Sequence, residues 1–144
     1  MRPGITILLL LSFISSFAGQ QEGRFNAAGL NDQEVETFFL SFREAVSARD
    51  KKKVASLISY PLKIYVSPGR TWTIRNRAGF VKAYDRIFDE EFRQLIVKTE
   101  MKDLWAKWTG VATPRGEIWF SGIGTKGSPD KYTIKIIAIN GPMR

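Results

Sequence analysis

The chain has 144 residues, enough for one domain around one core. Hydrophobic residues make up 44%, charged residues 25% and aromatics 12%, the balance of a folded globular protein. The formal charge of +8 favours anionic surroundings, and the absence of cysteine and histidine excludes disulfides, thiolate nucleophiles, imidazole bases and the usual zinc ligands.

The first 18 residues have the three parts of a secretory signal. Arg2 supplies the positive start and Ile5 to Phe17 form the apolar run. Ser16 and Ala18 place small residues at −3 and −1 of a cleavage site after Ala18. The run is shorter than the roughly 20 apolar residues of a comfortable span, although a retained anchor is the alternative. With no cysteine after it, a lipoprotein anchor is excluded. The expectation is an exported protein, periplasmic or secreted, and a cysteine-free exported chain suits a bacterial periplasm. Residues 19–30 are polar and glycine-containing and read as a flexible lead-in to a single domain over 31–144.

Asn31 opens a helix, with Glu34 three residues on in the manner of a capping box. Val35, Phe38, Phe39, Phe42, Ala45 and Val46 then recur at helical spacing and form one apolar stripe, read as core. Asp50 caps a short second helix whose buried side is Val54, Leu57 and Ile58. Within it, Lys51, Lys52 and Lys53 form the densest basic run. That run reads as a solvated helix corner, or as a contact for anionic lipid head groups. No aromatics interleave with it, so nucleic acid is not the expected partner.

Pro61 is expected to end the second helix. Leu62, Ile64 and Val66 alternate with Lys63, Tyr65 and Ser67 as a strand; Pro68-Gly69 makes a turn, and Thr71 to Ile74 returns as a short strand with Trp72. Asn76 caps a third helix with Phe80, Tyr84, Ile87 and Phe88 on its apolar face. Asp89-Glu90-Glu91 opens a further helical turn. From Val97 onward the pattern reads as strand. Leu104 to Ala112 is expected to pair with Glu117 to Ser121 across a turn at Thr113–Gly116. Residues 122–131 read as a loop, and Tyr132 to Asn140 as the last strand. The fold class is α+β, a strongly curved antiparallel sheet packed against N-terminal and central helices.

This order of elements resembles the nuclear transport factor 2-like, cystatin-like cone superfamily, and small exported bacterial members of it. The residues that carry the resemblance are Tyr60-Pro61-Leu62, the Asn76 to Phe88 helix, Gly116-Glu117-Ile118-Trp119-Phe120 and Ile134 to Asn140. The resemblance implies a bent sheet closed by helices into a cone-like roll. It also implies a mouth that holds a small apolar ligand or an active site, and an outer sheet face that forms homodimers. Catalytic relatives commonly use Asp, His or Tyr inside the cone. Without histidine, any His-Asp chemistry is excluded here.

A carboxylate remains as an acid–base candidate. Asp85 follows Tyr84, but helical neighbours point about 100° apart and do not share a pocket. Asp85 is therefore expected at an edge, paired with a basic residue. Glu117 shares a strand face with Trp119 and Ser121, and Ile118 shares the other with Phe120. If the tryptophan face is inside, Glu117 is a lone acid with a raised pKa. If it is outside, Glu117 is solvated, which is the expectation adopted because unpaired buried acids are rare.

The aromatics are the stronger functional signal. Tyr65, Trp72, Tyr84, Trp105 and Trp119 are candidates to line a ligand pocket, since Tyr and Trp carry polar tips that suit a rim. No metal site is expected: only oxygen ligands exist, and Asp89-Glu90-Glu91 lacks the spacing of a calcium loop. No cofactor is expected either, since 122–127 is glycine-rich without Walker spacing. The reading that results is an exported binding module, non-enzymatic, for a small apolar ligand, an envelope component or a protein partner. The alternatives are a lyase or isomerase using Glu117 or Asp85, and an electrostatic binder of anionic envelope components through Lys51, Lys52, Lys53 and the arginines at 70, 75 and 77.

Overall fold

The computed structural model describes residues 22–141. The expected signal segment and its cleavage site lie outside the described residues. Four helices and six strands follow in the order α1 (Asp32–Ser47), α2 (Lys51–Ser56), β1 (Ile58–Ser67), β2 (Arg70–Ile74), α3 (Arg77–Ile87), α4 (Glu90–Lys98), β3 (Trp105–Lys107), β4 (Gly110–Ala112), β5 (Ile118–Thr125) and β6 (Ser128–Asn140). Short 3-10 turns lie at Asn26–Ala28 and Met101–Asp103. The fold class is α+β. The strands form one open sheet ordered β2-β1-β6-β5-β4-β3. All neighbours are antiparallel except β1 and β6, which run parallel, so the sheet is mixed where an antiparallel one was expected.

α1 forms where its caps and stripe dictate. The Asn31 side chain accepts from the backbone N–H groups of Gln33 and Glu34, satisfying donors that the first turn leaves unpaired. All six stripe residues are buried. Glu34 does not close a capping box; its carboxylate instead accepts a hydrogen bond from the Tyr132 hydroxyl. At the other end, Arg49 takes a left-handed conformation (φ 55°), and Asp50 N–H and Arg49 N–H donate to the carbonyls of Ala45 and Val46. This is a Schellman closure, made without the usual glycine. Asp50 then caps α2 through Lys53 N–H.

Four expectations about local structure are corrected. Pro61 lies inside β1, after a cis Tyr60–Pro61 peptide bond, and α2 has already ended at Ser56. Ile58 accordingly starts a strand. A proline cannot donate to a ladder, and the β1–β6 register is interrupted between Ile58 and Lys63. Val97 and Lys98 remain helical in α4, where Phe92 and Ile96 supply the buried face. Leu104 to Ala112 is a tight hairpin, β3–β4, with Lys107 opposite Gly110. Residues 122–131 are mostly strand: β5 and β6 pair as far as Thr125 with Ser128, leaving Lys126-Gly127 as the turn. Glycine there serves close approach, since a Cβ on Gly122 would sit 2.9 Å from the Tyr132 ring.

The lead-in is also more than a tether. Phe25 and Leu30 are core residues. The Arg24 guanidinium donates to the carbonyls of Met101, Lys102 and Leu104, and Asp32 receives the N–H groups of Arg24 and Phe25.

The inside of the sheet is decided at β5. Ile118 and Phe120 are fully buried, while Trp119 and Ser121 on the alternate face are half-buried. Phe120 lies 5.0 Å from the Phe38 ring and 6.4 Å from Phe39, centroid to centroid. The helices thus cover the Ile118–Phe120 face. Phe42, Phe80, Tyr84, Phe88 and Phe92 continue the aromatic packing between α1, α3 and α4.

Phe120→Ala is expected to cost about 3–5 kcal/mol of unfolding free energy, the usual penalty for truncating a buried phenylalanine. Urea melts measure it. A loss below about 0.5 kcal/mol, the range of a surface change, would show that this ring is not the packing centre.

Candidate functional site

β1 and β2 place one face of their hairpin against the end of α3. Ile64 and Val66 point to the helix side, and the register sets Trp72 opposite Ile64, so its ring lies beside them. The turn at Pro68-Gly69 (Gly69 φ 76°) returns the chain so that Arg70 stands at the rim. α3 delivers Arg86 and Ile87, and Asp89 follows. Together these residues bound a cleft of about 530 Å³. Ile64, Val66, Ile87 and Trp72 form its apolar walls, and Gly141 closes one side, held by a hydrogen bond from its N–H to the Tyr65 carbonyl.

The charges of the cleft are unequal. The Arg86 guanidinium carbon lies 4.7 Å from the Trp72 ring centroid, a cation–π distance. Neither Arg70 nor Arg86 forms an ion pair among the described residues. Asp89 is committed elsewhere: its carboxylate caps α4 by accepting from Phe92 N–H. Two cations with available donors therefore overlook an apolar floor, and the one carboxylate is already engaged.

Of the five aromatics expected to line a pocket, Trp72 lines this cleft. Tyr84 is in the core, stacked 5.1 Å from Phe88 and edge-on to Phe80 at 6.0 Å. Burial pushes its hydroxyl pKa up, against the opposing pull of Arg93, and the hydroxyl has no hydrogen-bond partner among the described residues. Tyr65, Trp105 and Trp119 lie on the sheet face away from the helices. Trp105 and Trp119 meet edge to face at 5.1 Å, and Lys107 Nζ sits 4.8 Å from the Trp119 centroid. Trp105 Nε1–H donates to the Thr113 carbonyl. Period-two alternation already separated Tyr65 from Ile64 and Trp119 from Phe120. What it lacked was the side on which the helices would pack.

The candidate carboxylates are both engaged in structure. Asp85 is exposed and forms a 2.6 Å ion pair with Lys51, the edge pairing its helical position implied. Glu117 was expected to be solvated and is buried instead. Its carboxylate accepts from the Thr113 hydroxyl at 2.7 Å, from Arg115 N–H at 3.1 Å and from Arg115 Nε–H at 3.0 Å. Burial alone would raise its pKa, but these bonds outweigh burial and hold the carboxyl below its ordinary range. Ile118 N–H donates to the Thr113 hydroxyl, and the Asn140 side chain donates to the Gly116 carbonyl. Glu117 therefore organises the turn that leads into β5. A carboxylate held ionised and saturated with donors is a poor general acid.

Of the lysine run, Lys51 is engaged with Asp85, while Lys52 and Lys53 are exposed. Arg75 and Arg77, also named as anionic contacts, lie at the start of α3 beyond β2, away from the cleft rim. Arg86 and Asp89 were not read as site residues. The legible signal for them was the Pro68-Gly69 turn, which fixes Trp72 opposite Ile64 and so points that strand pair at the end of α3. No group of acidic residues able to hold a metal ion occurs among the described residues, and no helix among them is long and apolar enough to cross a membrane. No family model, characterised protein or solved structure matches the chain.

Glu117→Gln is expected to lower the unfolding free energy at pH 7 by about 2 kcal/mol, the scale of hydrogen bonds to a charged group. A carboxyl whose folded pKa is depressed stabilises above its unfolded value, and that contribution is lost as pH falls through the folded value. The gap between wild type and variant should therefore close below the ordinary carboxylate range. Equal stability at pH 7, measured in urea, would show that the bonds to Glu117 carry no net stabilisation.

Proposed function

We propose that the protein is an exported, non-enzymatic binding module of the nuclear transport factor 2-like type, and that its ligand occupies the cleft between the β1–β2 hairpin and the end of α3. The ligand has a small apolar body, seated against Ile64, Val66, Trp72 and Ile87, and an anionic group that meets Arg70 and Arg86. The observation that carries this reading is the pair of guanidinium groups without ion-pair partners among the described residues beside the apolar floor, Arg86 being stacked on Trp72. A concave apolar site with a few convergent polar groups is the usual form of a small-molecule site. The element order and the α+β class support the superfamily assignment, and the apolar segment at residues 5–17 supports export.

The catalytic alternative has less support. Asp85 is in an ion pair at the surface, and Glu117 is saturated with donors. A homodimer through the sheet is favoured by one observation, the exposure of Tyr65 and Trp105 on the face that the helices leave open. Concentration-dependent sedimentation tests that pairing, and a monomer at all concentrations would exclude it.

Calorimetry with decanoate and with decanol tests the cleft. Decanoate is expected to bind, and decanol to bind more weakly. Arg86→Gln should weaken decanoate by about tenfold or more, from the ~1.5 kcal/mol of one charge-assisted hydrogen bond, and leave decanol unchanged. Trp72→Ala should weaken both. Failure of both ligands to bind, or an affinity insensitive to both substitutions, would remove the proposal.

A further inference from the structure

One large aromatic among the described residues is left in water. Trp108 is 85% exposed, far more than Trp105 at 39%, and it sits with Thr109 at the two-residue tip of the β3–β4 hairpin. Trp72, Trp105 and Trp119 each have a ring or cation partner, whereas Trp108 has none among the described residues. Packing in the monomer does not account for a tryptophan at that position.

The surroundings of this tip are basic and apolar. Because β4 and β5 are antiparallel, with Val111 opposite Phe120, the tips of the β3–β4 and β5–β6 hairpins emerge at the same end of the sheet. That end carries Lys107, Lys126 and Lys131, with exposed Ile123 on β5. Asp130 is the acid on the same hairpin, and Glu34 nearby is engaged by the Tyr132 hydroxyl. Tryptophan flanked by lysine is the composition that settles at the level of lipid head groups, and lysines near an anionic surface are drawn to it.

The apolar run at residues 5–17 joins the described residues close to the start of β3. Arg24 is fixed to the carbonyls of Met101, Lys102 and Leu104, directly before β3, and the 3-10 turn at Asn26–Ala28 packs on β3 and β4. Phe17 ends the apolar run seven positions before Arg24, a reach of at most about 25 Å of extended chain. Leu104 and Trp108 are four positions apart, roughly 14 Å by the same measure. A bilayer that holds residues 5–17, during export or afterwards, is thus within reach of the Trp108 tip.

From these observations we propose that the β3–β4 hairpin docks on an anionic lipid bilayer, with the Trp108 ring at the boundary between head groups and acyl chains and Lys107, Lys126 and Lys131 facing the lipid phosphates. The contact is separate from the ligand cleft and from the Lys51–Lys53 corner.

Residues 1–21 contain no tryptophan, so the full chain can be assayed without interference from its apolar segment. The full-length protein is mixed with phosphatidylcholine–phosphatidylglycerol vesicles whose acyl chains are brominated, and tryptophan emission is recorded. Part of the emission is expected to be quenched, and the remainder to shift little. Trp108→Ala should abolish the quenched part even where the protein still sediments with the vesicles. Trp119→Phe should keep it. Vesicles of phosphatidylcholine alone should quench less at equal lipid, and equal quenching would overturn the selectivity for anionic lipid. Absence of quenching in the wild type, or equal quenching in Trp108→Ala, would overturn the proposal. So would a Trp108-dependent emission shift that follows protein concentration without lipid, since the tip would then seat a second protein.

Discussion

The packing of the α1 phenylalanines onto Ile118 and Phe120 determines which side of the sheet is inside. Phe38, Phe39 and Phe120 meet with centroids 5.0 to 6.4 Å apart, and each buried side chain of this kind contributes about 1.5–3 kcal/mol. Once that face is taken, strand alternation sends Trp119, Trp105 and Tyr65 to the opposite side. The same packing fills the hollow between α1 and β5 with rings. What is left open is the far edge, where β1 and β2 extend beyond the aromatic cluster and meet the end of α3. The cleft is thus a consequence of where the phenylalanines stop.

The charged residues divide into those that hold the structure together and those that remain available. Glu90 receives Arg49 and Arg93, and its carboxyl is pulled down to about 2, first by the hydrogen bond from Arg93 and then by that from Gln94. This network ties the corner after α1 to the start of α4, and Lys51–Asp85 ties α2 to α3. Glu117, Thr113 and Arg115 fix the approach to β5. Arg70 and Arg86 at the cleft and Lys126 and Lys131 on the β5–β6 hairpin stand outside these contacts, together with other exposed cations such as Lys52 and Lys53.

Most of the helices were readable from the chain because their signals are local. Asn31, Asp50 and Asn76 each cap the helix they precede, and the stripes from Val35 to Val46 and from Phe80 to Phe88 are buried as their spacing requires. The strands were harder where pairing overrides composition. The glycines at 122 and 124 mark a loop by propensity, yet Gly122 is needed for Tyr132 to lie against β5. Pro61 signals a helix end, and it sits in a strand because the β1–β6 ladder has a gap for it. The parallel β1–β6 pair has no local mark at all, since it joins residues more than seventy positions apart. The site was legible only in part. Trp72 could be named from the strand pattern, while Arg86 and Asp89 became site residues only where the end of α3 meets the β1–β2 hairpin. Glu117 misled for a different reason: its burial depends on Thr113 and Arg115, which contribute donors that no periodicity records.

The central claim is that a ligand would bind in the cleft beside Trp72, and neither in the filled interior nor on the tryptophan face. The four tryptophans give four indole N–H signals: Trp72 reports on the cleft, Trp105 and Trp119 on the open sheet face, and Trp108 on the hairpin tip. Titration of nitrogen-15-labelled protein with decanoate, followed by two-dimensional NMR, tests the claim most directly. The account predicts that the Trp72 indole signal moves in a saturable manner while those of Trp105 and Trp119 stay in place. Saturable movement of the Trp119 and Trp105 signals with Trp72 unchanged would contradict it.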